Sequence, residues 1–278
     1  MLGALNVSTL LLKGAAYVAA GLPTADGRTL SDIDILVPKQ ALPGVESALM
    51  RSGWMTTNPD PYDQRYYRVW MHEIPPMQHL KRGTVLDVHH AILPETARIH
   101  ADSEAMRVAA VPVGSDSNTF VLTPADLVLH SATHLFHEGE TDKALRDLVD
   151  LDSLLRHFGT GRDEFWIQLL GRARRVGLAR HLHYALRFTS TLLGTPVPAD
   201  MLDSLSPDAP ARPIGLLMDA LYLRAFRPVH SSGVDGGASM ARTVLYFRGH
   251  WMRMPTGLLV RHLARKALTR NRDPDDPA

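Results

Sequence analysis

Apolar and polar positions follow two different rhythms along the 278-residue chain. In the first part, short apolar runs are cut by Gly, Pro and Asp. Val7 to Leu12 reads as a strand ended by Lys13-Gly14, and the Ala-rich stretch Ala15 to Ala20 as a helix stopped by Gly21-Leu22-Pro23. A polar loop holding Asp26-Gly27 and Arg28 leads into the β-branched run Ile33 to Val37, bounded by Pro38. Residues 41–52 place Leu42, Val45, Leu49 and Met50 on one helix face. Tyr66 to Ile74, Val85 to Ile92 and Val108 to Val113 have strand-like composition. From Thr123-Pro124 onward the period becomes helical, with Thr123 as N-cap, Pro124 at the first helical position and Asp126 in the first turn. Helices are predicted over 141–157, 163–193 (broken near Gly177), 212–226 and 238–268. The pattern predicts an α+β protein: a mixed sheet with helices over residues 1–120, an all-helical region over 121–270, and a Pro- and Asp-rich disordered tail over 271–278.

Composition narrows the chemistry. Apolar residues at 45% and charged residues at 21% are ordinary globular values and exclude a disordered or collagen-like chain. With no cysteine, a disulfide framework, a thiolate zinc site and a Cys nucleophile are all excluded. No apolar run approaches the ~18 residues of a membrane span, and no leader pattern opens the chain, so a cytoplasmic protein without a membrane partner is expected. The first strand lies close to the start, which leaves open a further N-terminal segment outside this numbering. The net charge of +1 conceals an asymmetry: residues 1–150 hold 12 Lys and Arg against 18 Asp and Glu, and residues 151–278 hold 18 against 11.

The acidic side of that asymmetry contains the candidate chemistry. In Ser31-Asp32-Ile33-Asp34-Ile35-Leu36-Val37, strand alternation puts Asp32 and Asp34 on one face and the two isoleucines on the other. Aspartate is disfavoured inside strands. Such a pair either lines an exposed edge or binds a divalent cation, for which hard oxygen donors suit Mg²⁺ or Mn²⁺. Thr84 to His89 is a second β-branched strand with Asp87 at its centre. If the two strands are neighbours, three carboxylates share one site, able to align an attacking oxygen with a phosphorus and neutralise a leaving pyrophosphate.

These residues carry a resemblance. Leu11-Leu12-Lys13-Gly14, Arg28-x-x-Ser31-Asp32-Ile33-Asp34 and Asp87-Val88-His89 resemble the bacterial "uncharacterised nucleotidyltransferase" family of the polymerase-β-type superfamily. The stretch from Leu122 through His130 and His134 to Arg146 and Asp150 is similar as well, so the likeness spans about residues 10–155. It implies a polymerase-β-like catalytic fold, Mg²⁺ or Mn²⁺ on Asp32, Asp34 and Asp87, an NTP substrate such as ATP, and a hydroxyl acceptor. Lys13-Gly14 stands where the superfamily usually has Gly-Ser. Gly14 would admit a phosphate to a helix N-terminus, Lys13 would add a charge, and Ser31 would replace part of the missing serine's contact. Arg28 either clamps the triphosphate or braces its loop.

The remaining candidates keep two readings each. His130, His134 and His137 share a helix face without the Glu of a zinc-protease motif. His134 either contacts nucleotide or acceptor, or belongs to a helix interface. His89 shares the face of Asp87 and either tunes the metal site or is a polar edge residue. Arg146 and Asp150 either form a solvated salt bridge or reach the phosphates and the acceptor hydroxyl, Asp150 by analogy with the helical-region base of aminoglycoside nucleotidyltransferases. Scattered helical arginines make nucleic acid a less favoured partner, given aromatics at only 6%. The function expected is transfer of an NMP to a small-molecule, protein or RNA hydroxyl. The alternatives are a glycosyltransferase, disfavoured because only 31 residues precede Asp32, and a non-catalytic nucleotide-binding or antitoxin-like partner.

Overall fold

The computed structural model describes residues 5–114, 118–139, 141–228, 236–261 and 265. Strand β1 (Thr9–Leu11) runs into helix α1 (Lys13–Ala19), and a polar loop returns to β2 (Asp32–Leu36). Helix α2 (Leu42–Arg51), β3 (Trp54–Thr56) and a short helix α3 (Pro61–Arg65) follow. The chain then forms β4 (Met77–His79), β5 (Val85–His89), α4 (Ser103–Val108), β6 (Val111–Pro112) and β7 (Thr119–Val121). The seven strands make one sheet in the order β3-β4-β5-β2-β1-β7-β6. Here β2 lies parallel to β5 and antiparallel to β1, while β1 lies parallel to β7.

Beyond the sheet come α5 (Pro124–His137), α6 (Ala144–Gly159), α7 (Asp163–Arg175), α8 (Ala179–Leu193), α9 (Ala199–Ser204), α10 (Arg212–Ala225) and α11 (Gly236–Arg253). Thr123 caps α5 by accepting from the Asp126 N–H at 3.4 Å, and Gly177, with φ +78°, separates α7 from α8.

Strand alternation divides the core. Ile35, Val37, Leu86 and Val88 face α2 and pack with Val45 and Leu49. On the other face, Leu10, Leu12 and Leu36 join a larger cluster with α5, α6 and α8, including Val128, Leu148 and Leu182. Strand and helix regions thus share one apolar core.

Two predicted strands are corrected. Tyr66–Trp70 is a wide-turn helix continuing α3, not the start of a strand. Asp60 accepts from the Tyr62 and Asp63 N–H groups with Pro61 at the first position, a strong helix start. Tyr62, Tyr66 and Trp70 recur every fourth residue and meet edge-on with ring centroids 5.7 and 6.2 Å apart. Of Val108–Val113, Val108 ends α4 and only Val111–Pro112 is a strand, because Asp102 caps a helix immediately upstream. The helix expected over 238–268 is observed as α11, which ends just before Pro255, as the steric restriction on a pre-proline residue favours. Of the rest of that segment, residues 262–264 and 266–268 lie outside the described residues, as does the expected tail 271–278.

Several described arginines of the helical region are used internally. Arg172 forms a two-pronged pair with the fully buried Asp126, both bonds at 2.8 Å, and donates to the Ala105 carbonyl. Arg156 donates to the Leu193 carbonyl and Arg174 to the Ser204 carbonyl. Helix C-termini leave such carbonyls unpaired and carry partial negative charge, so cationic side chains are stabilising there.

Candidate active site

The two central strands set the site. In the β2–β5 register Asp34 stands opposite Asp87 and Leu36 opposite His89, with Asp32 two residues before Asp34 on the same face. Asp32, Asp34, Asp87 and His89 line one cavity of about 880 Å³, near the upper end of the usual range for a ligand pocket. Lys13, Gly14, Arg28 and Ser31 border it from α1 and the following loop; His134, Glu138, Arg146 and Asp147 border it from α5 and α6. The far wall is Tyr66, Tyr67, His72 and Glu73, and α11 closes the cavity with Arg242, Thr243, Tyr246, Phe247 and Arg253.

A chain of charges crosses the floor. Lys13 Nζ donates to Asp34 Oδ1 at 3.0 Å, His89 Nε2 lies 3.2 Å from the same oxygen, and His89 Nδ1 lies 3.3 Å from Glu73 Oε2. Burial alone would raise the Asp34 pKa, but the His89 hydrogen bond and the Lys13 charge hold it well below the ordinary carboxylate range. Burial disfavours an imidazolium at His89, yet Asp34 and Glu73 on either side raise its pKa. Burial raises Glu73, with His89 opposing. Asp87 moves up too, first through burial and then through the neighbouring Asp34 charge. Its buried Oδ1 has no hydrogen-bond partner. Asp32 accepts from the Ser31 hydroxyl at 2.8 Å, so Ser31 is engaged with a floor carboxylate.

Of the other candidate residues, Gly14, Arg28, His134 and Arg146 line the same cavity and Asp150 does not. Gly14 is a close-approach position: a Cβ there would lie 2.7 Å from Leu30 Cδ2 and 2.9 Å from Arg28 Nε. Arg28 Nη1 donates to Asp150 Oδ2 at 2.6 Å, tying the loop to α6, and its guanidinium lies 5.4 Å from the Tyr17 ring centroid. Asp150 is buried in that pair and is not among the cavity-lining residues; burial raises its pKa against the pull of Arg28. Asp147, three residues earlier, does line the cavity and accepts from Arg146 Nη2 at 3.1 Å. His134 sits between carboxylates, with Nδ1 2.8 Å from Glu138 Oε2 and Nε2 3.8 Å from Asp147 Oδ2. Burial works against ionisation of Glu138, but His134, Lys13 and Arg253 hold its pKa well below the ordinary range. His130 is buried, and burial followed by the Lys13 charge lowers its pKa to about 3. His137 pairs instead with His181, ring nitrogen to ring nitrogen at 3.3 Å.

Helix α11 reaches the cavity through an unusually close joint. Gly139 has φ +77°, and a Cβ there would lie 2.6 Å from the Leu245 carbonyl oxygen; a Cβ on Gly249 would collide with the Glu138 carbonyl. Around this contact Arg248 donates to the Phe136 carbonyl at 2.8 Å and Arg253 to the Glu138 carbonyl at 2.7 Å. Glu73, Glu138 and the α11 residues were not foreseen. Only Glu138 had a local signal, its i, i+4 spacing from His134.

The sequence profile of a family described as uncharacterised nucleotidyltransferase matches residues 1–194. The chain belongs to that nucleotidyltransferase family. A search of curated proteins returns no match. Among solved structures, this nucleotidyltransferase is similar to the solution structure of the antibiotic-resistance factor ANT(2'')-Ia, with TM-score 0.40 and 13% identity over 65% of this chain and 90% of that one. The family match ends before α11, so the helix that closes the cavity lies outside it.

The residues present suit a divalent cation. The donors are hard carboxylate oxygens on one face of adjacent strands, and the unpartnered Asp87 oxygen is a buried acceptor awaiting a positive partner. Among the described residues no three ligating side chains already converge on a point, and Asp34 Oδ1 is engaged by Lys13 and His89.

Proposed function

We propose that this nucleotidyltransferase transfers an NMP from an NTP, ATP being the first to test, to a hydroxyl acceptor. The acceptor oxygen bonds to the α-phosphorus, the α–β bridging P–O bond breaks, pyrophosphate leaves with that electron pair, and the acceptor proton passes to a base. The observation that carries this reading is the pairing of Asp34 with Asp87 on parallel strands, Asp32 beside them, on the floor of a cavity bordered by cationic side chains. Asp32, Asp34 and Asp87 would hold Mg²⁺ or Mn²⁺, which offsets phosphate charge and polarises the reacting oxygens.

Lys13 and Arg146 supply positive charge for the triphosphate, and the N-terminus of α1 adds backbone N–H groups beside Gly14. Arg28, anchored on Asp150, holds the loop that carries Ser31 and Asp32. His134, braced by Glu138, faces the acceptor side together with Asp147. In this reading residues 1–120 are the catalytic part and 121–270 a second part, whose described helices α5, α6 and α8 pack on the same core and complete the acceptor side.

The test is incubation with each labelled NTP, Mg²⁺ or Mn²⁺, and pools of small hydroxyl compounds, RNA and protein. Labelled acceptor and released pyrophosphate are expected. Full activity in an Asp32→Ala/Asp34→Ala variant overturns the proposal, and metal-dependent nucleotide binding without turnover on any pool favours a non-catalytic partner protein.

A further inference from the structure

The floor carboxylates are in opposite electrostatic states. Asp34 Oδ1 receives both Lys13 Nζ and His89 Nε2, whereas Asp87, its register partner, keeps a buried oxygen with no partner. One ammonium therefore serves a centre built with three aspartates. Lys13 holds that position from a strained backbone, with φ +46° in the left-handed region, a conformation that side-chain-bearing residues rarely adopt. Glu138 and Glu73, which line the same cavity, also act on its charge.

We propose that Lys13 is an exchangeable cation: it neutralises Asp34 while no divalent ion is bound and moves to the triphosphate when metal and nucleotide enter. This rests on the nucleotide chemistry proposed above. A divalent ion on Asp34 and Asp87 repels an ammonium sharing the same oxygen, because like charges this close in a partly buried site interact strongly. The lysine stem is flexible and its head is a point charge. Lys13 itself lines the cavity, so rotation of its side chain moves the charge from the floor into the space where a triphosphate would lie. Metal and nucleotide then bind with positive coupling, each raising the affinity of the other by the same factor.

The test is Mn²⁺ binding followed by electron paramagnetic resonance and calorimetry, with and without a non-hydrolysable NTP, and needs no acceptor. Lys13→Met is expected to bind Mn²⁺ alone roughly 5- to 150-fold more tightly than wild type, the usual span of a coupling between sites. The factor by which nucleotide tightens Mn²⁺ should shrink correspondingly. Lys13→Gly removes the same cation and accepts the left-handed backbone, so it keeps the fold if the methionine variant does not. Unchanged Mn²⁺ affinity in a folded Lys13 variant, or undiminished coupling, overturns the proposal. Asp34→Asn distinguishes the two levels: wild-type Mn²⁺ binding in that variant removes the metal site itself, and with it the nucleotidyl-transfer reading.

Discussion

The cavity floor and the helical region treat charge in opposite ways. Among the helices, Arg172, Arg174 and Arg156 are fixed on carbonyl oxygens and carboxylates of neighbouring elements, so their charges are matched within the fold. On the floor, one ammonium and one imidazole share a single oxygen of Asp34 while the Asp87 oxygen opposite has nothing. Charge counts along the sequence pointed to both regions equally. What separates them is whether each charge is matched by the protein alone, and the floor leaves one carboxylate oxygen unmatched.

That contrast can be broken by substitution. Asp126→Ala, which removes the fully buried partner of the half-buried Arg172 guanidinium, should cost about 1–3 kcal/mol in urea denaturation while leaving nucleotide affinity intact at temperatures where the variant is folded. Asp87→Asn should do the reverse: a loss of roughly 100- to 1,000-fold in transfer rate, typical of removing one electrostatic stabiliser of a reacting centre, with no loss of stability in the same denaturation assay. If Asp87→Asn unfolds the protein, the floor is structural and the contrast fails. Gly249→Ala forces a Cβ against the Glu138 carbonyl, and should lower stability by about 1–3 kcal/mol and weaken nucleotide or acceptor binding as α11 shifts, read by melting and titration together.

A smaller effect concerns pH. Burial holds His137 at about 4 and lowers its neighbour His181 well below the ordinary value. The unfolded chain binds protons at these sites near pH 6.5 and the folded chain does not, so the stability they contribute is complete above pH 6.5 and lost as pH falls toward 4. The slope is at most about 1.4 kcal/mol per pH unit for each imidazole, and it should flatten in denaturation curves of His137→Gln compared with wild type. Smallest of all, Arg187→Ala removes an exposed pair with Asp219 and should change the melting free energy by less than about 1 kcal/mol.

The sequence made the floor legible because strand alternation is a strict rule. Once Ile33 and Ile35 are assigned to a core face, Asp32 and Asp34 must share the other, and Asp87 follows by the same argument. The far wall was hidden by composition: Tyr66, Tyr67, Val69 and Trp70 favour strands as residue types, and the four-residue spacing of Tyr62, Tyr66 and Trp70 is the weaker signal. Glu73 was lost with them. Strands β3, β4 and β7 have three residues each, too few to display a period of two. On α6, Asp147 and Asp150 are equivalent in sequence, and only the tertiary pairing of Arg28 with Asp150 shows which one lines the cavity. The role of α11 rests on contacts more than 100 residues apart, such as Arg248 with the Phe136 carbonyl, which no local pattern encodes.

The joint between α11 and the end of α5 has its own consequence. What α11 grips there is backbone: the carbonyls of Phe136 and Glu138, and the bare Cα of Gly139. Every sequence supplies carbonyls, so the joint survives extensive change in the side chains of α5. Among the described residues of α11 the joint is made by Gly249, Arg248, Arg253 and the Leu245 carbonyl, while Thr243, Tyr246 and Phe247 line the cavity beside it. The fold thus puts the joint and most of the α11 lining on different side chains, so Thr243, Tyr246 and Phe247 can be exchanged without removing a contact of the joint.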